Sequence, residues 1–128
     1  MKKGFTLIEL LAVILILGII ALIAIPTVTD LISDAKVGAE EATANNLVNQ
    51  AETYLELCQL RDETDCVSDF TSLTDANLKS TLNIKGDIPL VSEIDTFSIT
   101  NDKVNLTYTR NGITCTVTNS SDATCTAV

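Results

Sequence analysis

Hydrophobic positions change spacing twice along this chain. From Leu10 to Ile25, sixteen consecutive residues carry no charged or strongly polar side chain. Counted from Phe5 the apolar run is 21 residues, which as helix rises roughly 32 Å at about 1.5 Å per residue. That spans a hydrocarbon core of about 30 Å. The run is apolar on every side, which an ordinary surface helix is not. It predicts a membrane-spanning helix. Pro26 then removes a backbone donor and crowds the preceding turn, so a kink or local melting is expected there.

Beyond Pro26 the apolar period stays at three to four residues as far as Leu60. Val28, Leu31, Ile32, Ala35, Ala39 and Ala42 make one stripe. Ala44, Leu47, Val48, Ala51, Tyr54, Leu55 and Cys58 make another. At about 100° per residue the two point roughly 150° apart. Where the first would continue, the chain has Asn46, Asn49, Gln50 and Thr53. Two stripes imply two surfaces: the second packs on the chain's own sheet and the first on something else. A bend that re-aims one stripe, or contact with a membrane surface, is the alternative.

Residues 61–95 read as an acidic loop region in which Asp62, Glu63, Asp65 and Asp69 cluster. Their spacing lacks the alternate oxygen ligands and turn glycine of a calcium loop, and no metal site is expected. Asp75-Ala76-Asn77-Leu78 is a weak helix start. From Thr96 the period becomes two. Phe97 and Ile99, then Val104, Leu106 and Tyr108, then Ile113, Cys115 and Val117, and finally Ala123, Cys125 and Ala127 mark strands. Asn101-Asp102, Asn111-Gly112 and Asn119 to Asp122 separate them as turns. The opposite, threonine-rich positions suit the solvated side of an antiparallel sheet. The fold class is α+β: a long N-terminal helix packed on a small antiparallel sheet of three to four strands.

Composition narrows the chemistry. The 128 residues suit one domain, and 17 acidic residues against 8 basic give a formal charge of −9. This argues against nucleic acid, whose binding needs a cationic face. His and Trp are absent, so there is no imidazole for general-base work or zinc binding. No nucleophile constellation is recognisable, and neither an enzyme nor a cofactor is expected. Lys2 and Lys3 on the short side of the apolar run place the N-terminus in the cytoplasm. A removed signal peptide would need a small-x-small cleavage site; the best local candidate, Leu22-Ile23-Ala24, has the wrong first residue. Four cysteines in an exported segment favour disulfides, each adding about 2–4 kcal/mol. Cys58, Cys66, Cys115 and Cys125 allow three pairings. The local set, Cys58–Cys66 with Cys115–Cys125, is favoured because a short turn would set the latter two opposite each other. Asn105-Leu106-Thr107 and Asn119-Ser120-Ser121 match glycosylation acceptors but read as ordinary strand and turn residues.

One carboxylate stands apart. Glu9 lies a helical turn inside the apolar run, where an ionised carboxylate costs about 2.5–3.5 kcal/mol at the bilayer centre and less near the interface. No Lys or Arg occurs between Lys3 and Lys36. A cut after Gly4 would give Phe5 a new ammonium, with a reference pKa of about 7.7–8.0. Glu9 is four residues further on and could pair with it within one subunit or between neighbours. The stretch Gly4-Phe5-Thr6-Leu7-Ile8-Glu9, behind a lysine-bearing leader and before a long apolar helix, resembles the class III signal of type IV pilins and pseudopilins. The resemblance covers roughly the first thirty positions and is architectural beyond them.

This resemblance implies that a membrane prepilin peptidase cuts between Gly4 and Phe5 and methylates the Phe5 amine. Glu9 would align an incoming subunit against a neighbour's Phe5. Gly18 and Pro26 stand where many pilins have helix-loosening residues. The chain then divides into a leader (1–4), a transmembrane and filament-core helix (5–29), its amphipathic continuation (30–60), the acidic loop region (61–95) and the sheet (96–128), with the first stripe facing other subunits. The implied protein is a single-pass membrane prepilin, N-terminus inside, that becomes a subunit of an extracellular type IV pilus serving adhesion or twitching motility. Its partners would be identical subunits, the peptidase, the assembly machinery and, before assembly, the membrane. The alternatives are a pseudopilin of a type II secretion or competence system and a membrane-anchored binding domain that never polymerises.

Overall fold

The computed structural model describes residues 2–128. A 54-residue helix, α1, runs Leu7–Leu60. It continues through Pro26 without a break, so the local melting expected there is not observed. Pro26 has no N–H for the Leu22 carbonyl, and threonine hydroxyls serve the carbonyls around it. Thr27 Oγ1 donates to the Ile23 carbonyl (2.9 Å) and Thr29 Oγ1 to that of Pro26 (2.7 Å). At the far end Asp62 turns left-handed (φ 53°). Asp62 N–H then reaches the Gln59 carbonyl and Glu63 N–H that of Cys58, a Schellman ending built on aspartate instead of glycine.

The chain forms two compact units, one up to Ala35 and one from Lys36 to Val128. In the first, every described side chain is exposed, including the whole apolar run. In the second, four strands pair antiparallel in the order β1 (Ile94–Thr100), β2 (Lys103–Arg110), β3 (Ile113–Val117) and β4 (Thr124–Ala127). One sheet face meets α1 through Ala44, Leu47, Val48, Ala51 and Cys58, all buried. These belong to the second stripe; Tyr54 and Leu55 complete it half-buried. Val28, Leu31, Ile32, Ala35, Ala39 and Ala42 are exposed.

Two-residue loops with both φ positive connect β1 to β2 (Asn101, 52°; Asp102, 59°) and β2 to β3 (Asn111, 54°; Gly112, 74°). This is the turn whose twist matches that of paired strands. β1 begins at Ile94, two residues earlier than the alternation suggests. A register shift between Ile94 and Thr96 lets Ile94 and Phe97 both face inward, and a strict period of two misses that.

Residues 61–95 depart most from the loop reading. They contain helix α2 (Asp75–Thr81) and two single turns of 3-10 helix, at Phe70–Ser72 and Val91–Glu93. Phe70, Leu78, Leu82, Ile84 and Ile88 are all buried in the core. Phe70 lies edge-on to Tyr54 (5.8 Å between centroids) and tilted against Phe97 (4.7 Å). Thr74 Oγ1 accepts from Asn77 N–H to start α2, and Asp75 accepts from Val91 N–H. The apolar residues here are separated by turns, so no period announces them.

The buried interior holds one carboxylate. Glu40 is 9% exposed, and the Tyr108 hydroxyl donates to its side chain and to its carbonyl, both at 3.0 Å. Burial first, then the Glu40 carboxylate, push the Tyr108 phenol well above its ordinary pKa. At the mouth of the β2–β3 turn Arg110 pairs with Asp87. That contact lowers the Asp87 pKa and raises that of Arg110.

Disulfides join Cys58 to Cys66 and Cys115 to Cys125. Cys115 and Cys125 are register partners with Cα atoms 4.1 Å apart. Cys125 N–H points away from β3 to Glu41 Oε1 (3.3 Å). The pair is therefore a non-hydrogen-bonded one, where facing side chains come closest. Ala123 N–H, beside it, donates to Asn45 Oδ1 (2.9 Å). On the other edge Ile99 N–H donates to the Ser68 carbonyl (2.8 Å). The two glycosylation sequences are committed to the fold. Asn105 Oδ1 accepts from Asn119 N–H, and Ser120 exchanges two hydrogen bonds with the Val104 backbone.

Two outcomes follow for the chain in detergent solution. Reducing both disulfides lowers the unfolding free energy by about 2–5 kcal/mol per bridge, measured by denaturant titration with and without reductant. Because the folded Tyr108 pKa is raised, its contribution is complete below the unfolded value of about 10 and is lost as pH climbs past it. Tyr108→Phe should remove this alkaline loss, at a neutral-pH penalty of about 1–3 kcal/mol for the stranded Glu40.

Candidate processing and assembly site

α1 starts at Leu7 and not at Phe5 because Thr6 caps it. Thr6 N–H and Thr6 Oγ1 both donate to Glu9 Oε2, each at 2.9 Å, and Glu9 N–H returns to Thr6 Oγ1 at 3.4 Å. Leu10 N–H closes the first helical bond on the Thr6 carbonyl (3.2 Å). Residues Thr6-x-x-Glu9 thus form a capping box. The Thr-x-x-Glu signature is legible in the sequence, where the charge of Glu9 overshadows its capping role.

The box settles where the carboxylate points. It is held over the first turn of α1, against amides that carry the positive end of the helix dipole. Among the described residues it has no ion pair. Phe5, immediately outside, is 89% exposed, so the bond between Gly4 and Phe5 lies in non-helical, accessible chain. A side chain placed on Gly4 would meet nothing within 4 Å, and the same holds at Gly18. Neither glycine is demanded by packing inside this chain.

The structure thus brings Gly4, Phe5 and Glu9 into one short segment around Thr6, with Gly18 and Pro26 further along the same helix. The four cysteines lie in the other unit and take no part in this site. Among the described residues no group of carboxylates and thiols is placed to hold a metal.

Residues 1–25 match the family model described as the prokaryotic N-terminal methylation motif. The chain therefore carries the class III signal of type IV pilins and pseudopilins, and the motif supports a prepilin-type substrate. That signal implies processing by a prepilin peptidase, and with the exposed apolar helix it fits a membrane-anchored protein. The match spans 25 of 128 residues. No curated protein and no solved structure matches the chain.

Thr6→Ala removes both side-chain links of the box and should cost the helix start about 1 kcal/mol. Amide exchange at Leu7 to Leu10 in micelles should speed up by about fivefold, while Thr6→Ser stays close to wild type.

Proposed function

We propose that this chain is a structural subunit of an extracellular type IV pilus and not an enzyme. The observation that carries the reading is a carboxylate at the start of an exposed apolar helix that makes no ion pair among the described residues, next to an accessible bond in a methylation motif. Cleavage after Gly4 frees the Phe5 amine beside Glu9. The carboxylate then pairs with the amine of a neighbour, and this fixes the axial step between subunits.

The apolar helix supplies the rest of the contact. Leaving lipid for a bundle of like helices gains little from the hydrophobic effect, so packing and the polar pair set the geometry. The first stripe, Val28 to Ala42, extends that contact towards the head. Removing the leader takes Lys2 and Lys3 and leaves 6 basic against 17 acidic residues, a net −11. Subunits so charged stay soluble and repel one another over most of their surface, which leaves the helices to hold the polymer. A head-to-tail contact that does not close gives a filament.

Mass spectrometry of mature protein should find a chain beginning at N-methylated Phe5. Electron microscopy of cells making Glu9→Val should show membrane-inserted protein with few or no filaments. Normal filaments from that variant would overturn the role given to Glu9. Wild-type fibres that stop within the envelope would place the chain with the pseudopilins.

A further inference from the structure

The sheet face turned away from α1 is a grid of threonines. Thr107 and Thr109 on β2, Thr114 and Thr116 on β3, and Thr124 and Thr126 on β4 stand in register. Thr107 pairs with Thr116 and Thr116 with Thr124, while Thr109 pairs with Thr114 and Thr114 with Thr126. Thr96 carries the first row onto β1. All are exposed or half-exposed, and Thr109 and Thr114 already share a hydrogen bond between their hydroxyls (3.0 Å).

Charge is what sets this face apart. The chain has 17 acidic residues, and none lies on the outward rows of β2, β3 and β4; at the far edge Asp95 stands in the irregular corner of β1 and Asp69 bridges to Ser98. Lys103 is the one cation, at the start of β2. We infer that this face docks on the same face of a second copy in a neighbouring filament, joining filaments side by side. The inference rests on the pilus reading, which puts α1 inside and leaves this side of the sheet outermost.

Three arguments select a second copy. Copies that each carry a large negative charge meet at least cost where neither presents a carboxylate. A threonine hydroxyl both donates and accepts, so two identical grids satisfy each other while their methyl groups interdigitate. The buried aromatics Phe97 and Tyr108 leave the face without a ring on which a sugar could stack.

Size decides how such a contact can act. Four strands about 4.8 Å apart, with outward residues about 6.8 Å apart along each, give an area on the order of 300 Å². A stable interface takes about 800 Å² from each partner. One pair of heads therefore does not hold, and repetition along two filaments does.

The test uses full-length chain assembled on cells, sheared and imaged, with low-speed pelleting as the measure of bundling. Wild-type filaments should lie in parallel bundles and pellet. Thr116→Glu combined with Thr124→Glu should leave single filaments of normal length and number, with the pelleted fraction down by about tenfold or more as avidity is lost. Thr116→Ser with Thr124→Ser should bundle. Wild-type filaments that lie singly, bundles that survive the glutamates, or bundles that a chelator dissolves by removing cations from the acidic rim would each overturn the inference. An absence of wild-type filaments would instead overturn the pilus reading beneath it.

Discussion

A carboxylate on an apolar helix is tolerable only while something positive or hydrogen-bonding faces it, and the organisation of this protein depends on how Glu9 meets that condition. Before any cleavage, the N–H and hydroxyl of Thr6 meet it. In a membrane-anchored precursor these bonds would keep the charge solvated. The same box holds the carboxylate at the chain end that processing would uncover, so the group need not search for its partner. The capping interaction and the proposed intersubunit pair are two states of one acceptor.

The second unit closes its apolar core and its buried polar groups on itself. Its core is closed by contributions from every segment after Lys36, including the five apolar residues supplied between α2 and its neighbouring turns. Its disulfides fasten the segment that follows α1 and the four-residue strand β4. Even the buried carboxylate, Glu40, is satisfied internally by Tyr108. The first stripe of α1, alanines and larger aliphatics, stays exposed beside the charged Asp30, Asp34 and Lys36.

Much of this was legible before any coordinates. The alternation in Val104, Leu106 and Tyr108, the Asn111-Gly112 turn and the shift of stripe after Ala42 each obey a simple local period, and the structure follows them. Residues 61–95 obey none. Phe70, Leu78 and Ile84 face the core through turns whose direction depends on Thr74, Asp75 and Asp69, which no periodicity encodes. Glu40 and Tyr108 are 68 residues apart, so nothing local could pair them. At Pro26 the helix runs on without a break, although the residue removes a donor; the hydroxyls of Thr27 and Thr29 bond to the Ile23 and Pro26 carbonyls beside it.

The two outer strands have a consequence for how material of this kind fails. Two outward amides beside and within β4, those of Ala123 and Cys125, are taken by Asn45 and Glu41, and the outward Ile99 amide of β1 by Ser68. A free strand edge is a template for amyloid-like addition, which is extremely hard to undo. With those amides occupied, heads crowded at high local concentration have no easy route into a cross-β aggregate. In the proposed filament, joining would then be left to the apolar helices, which bury no strand edge.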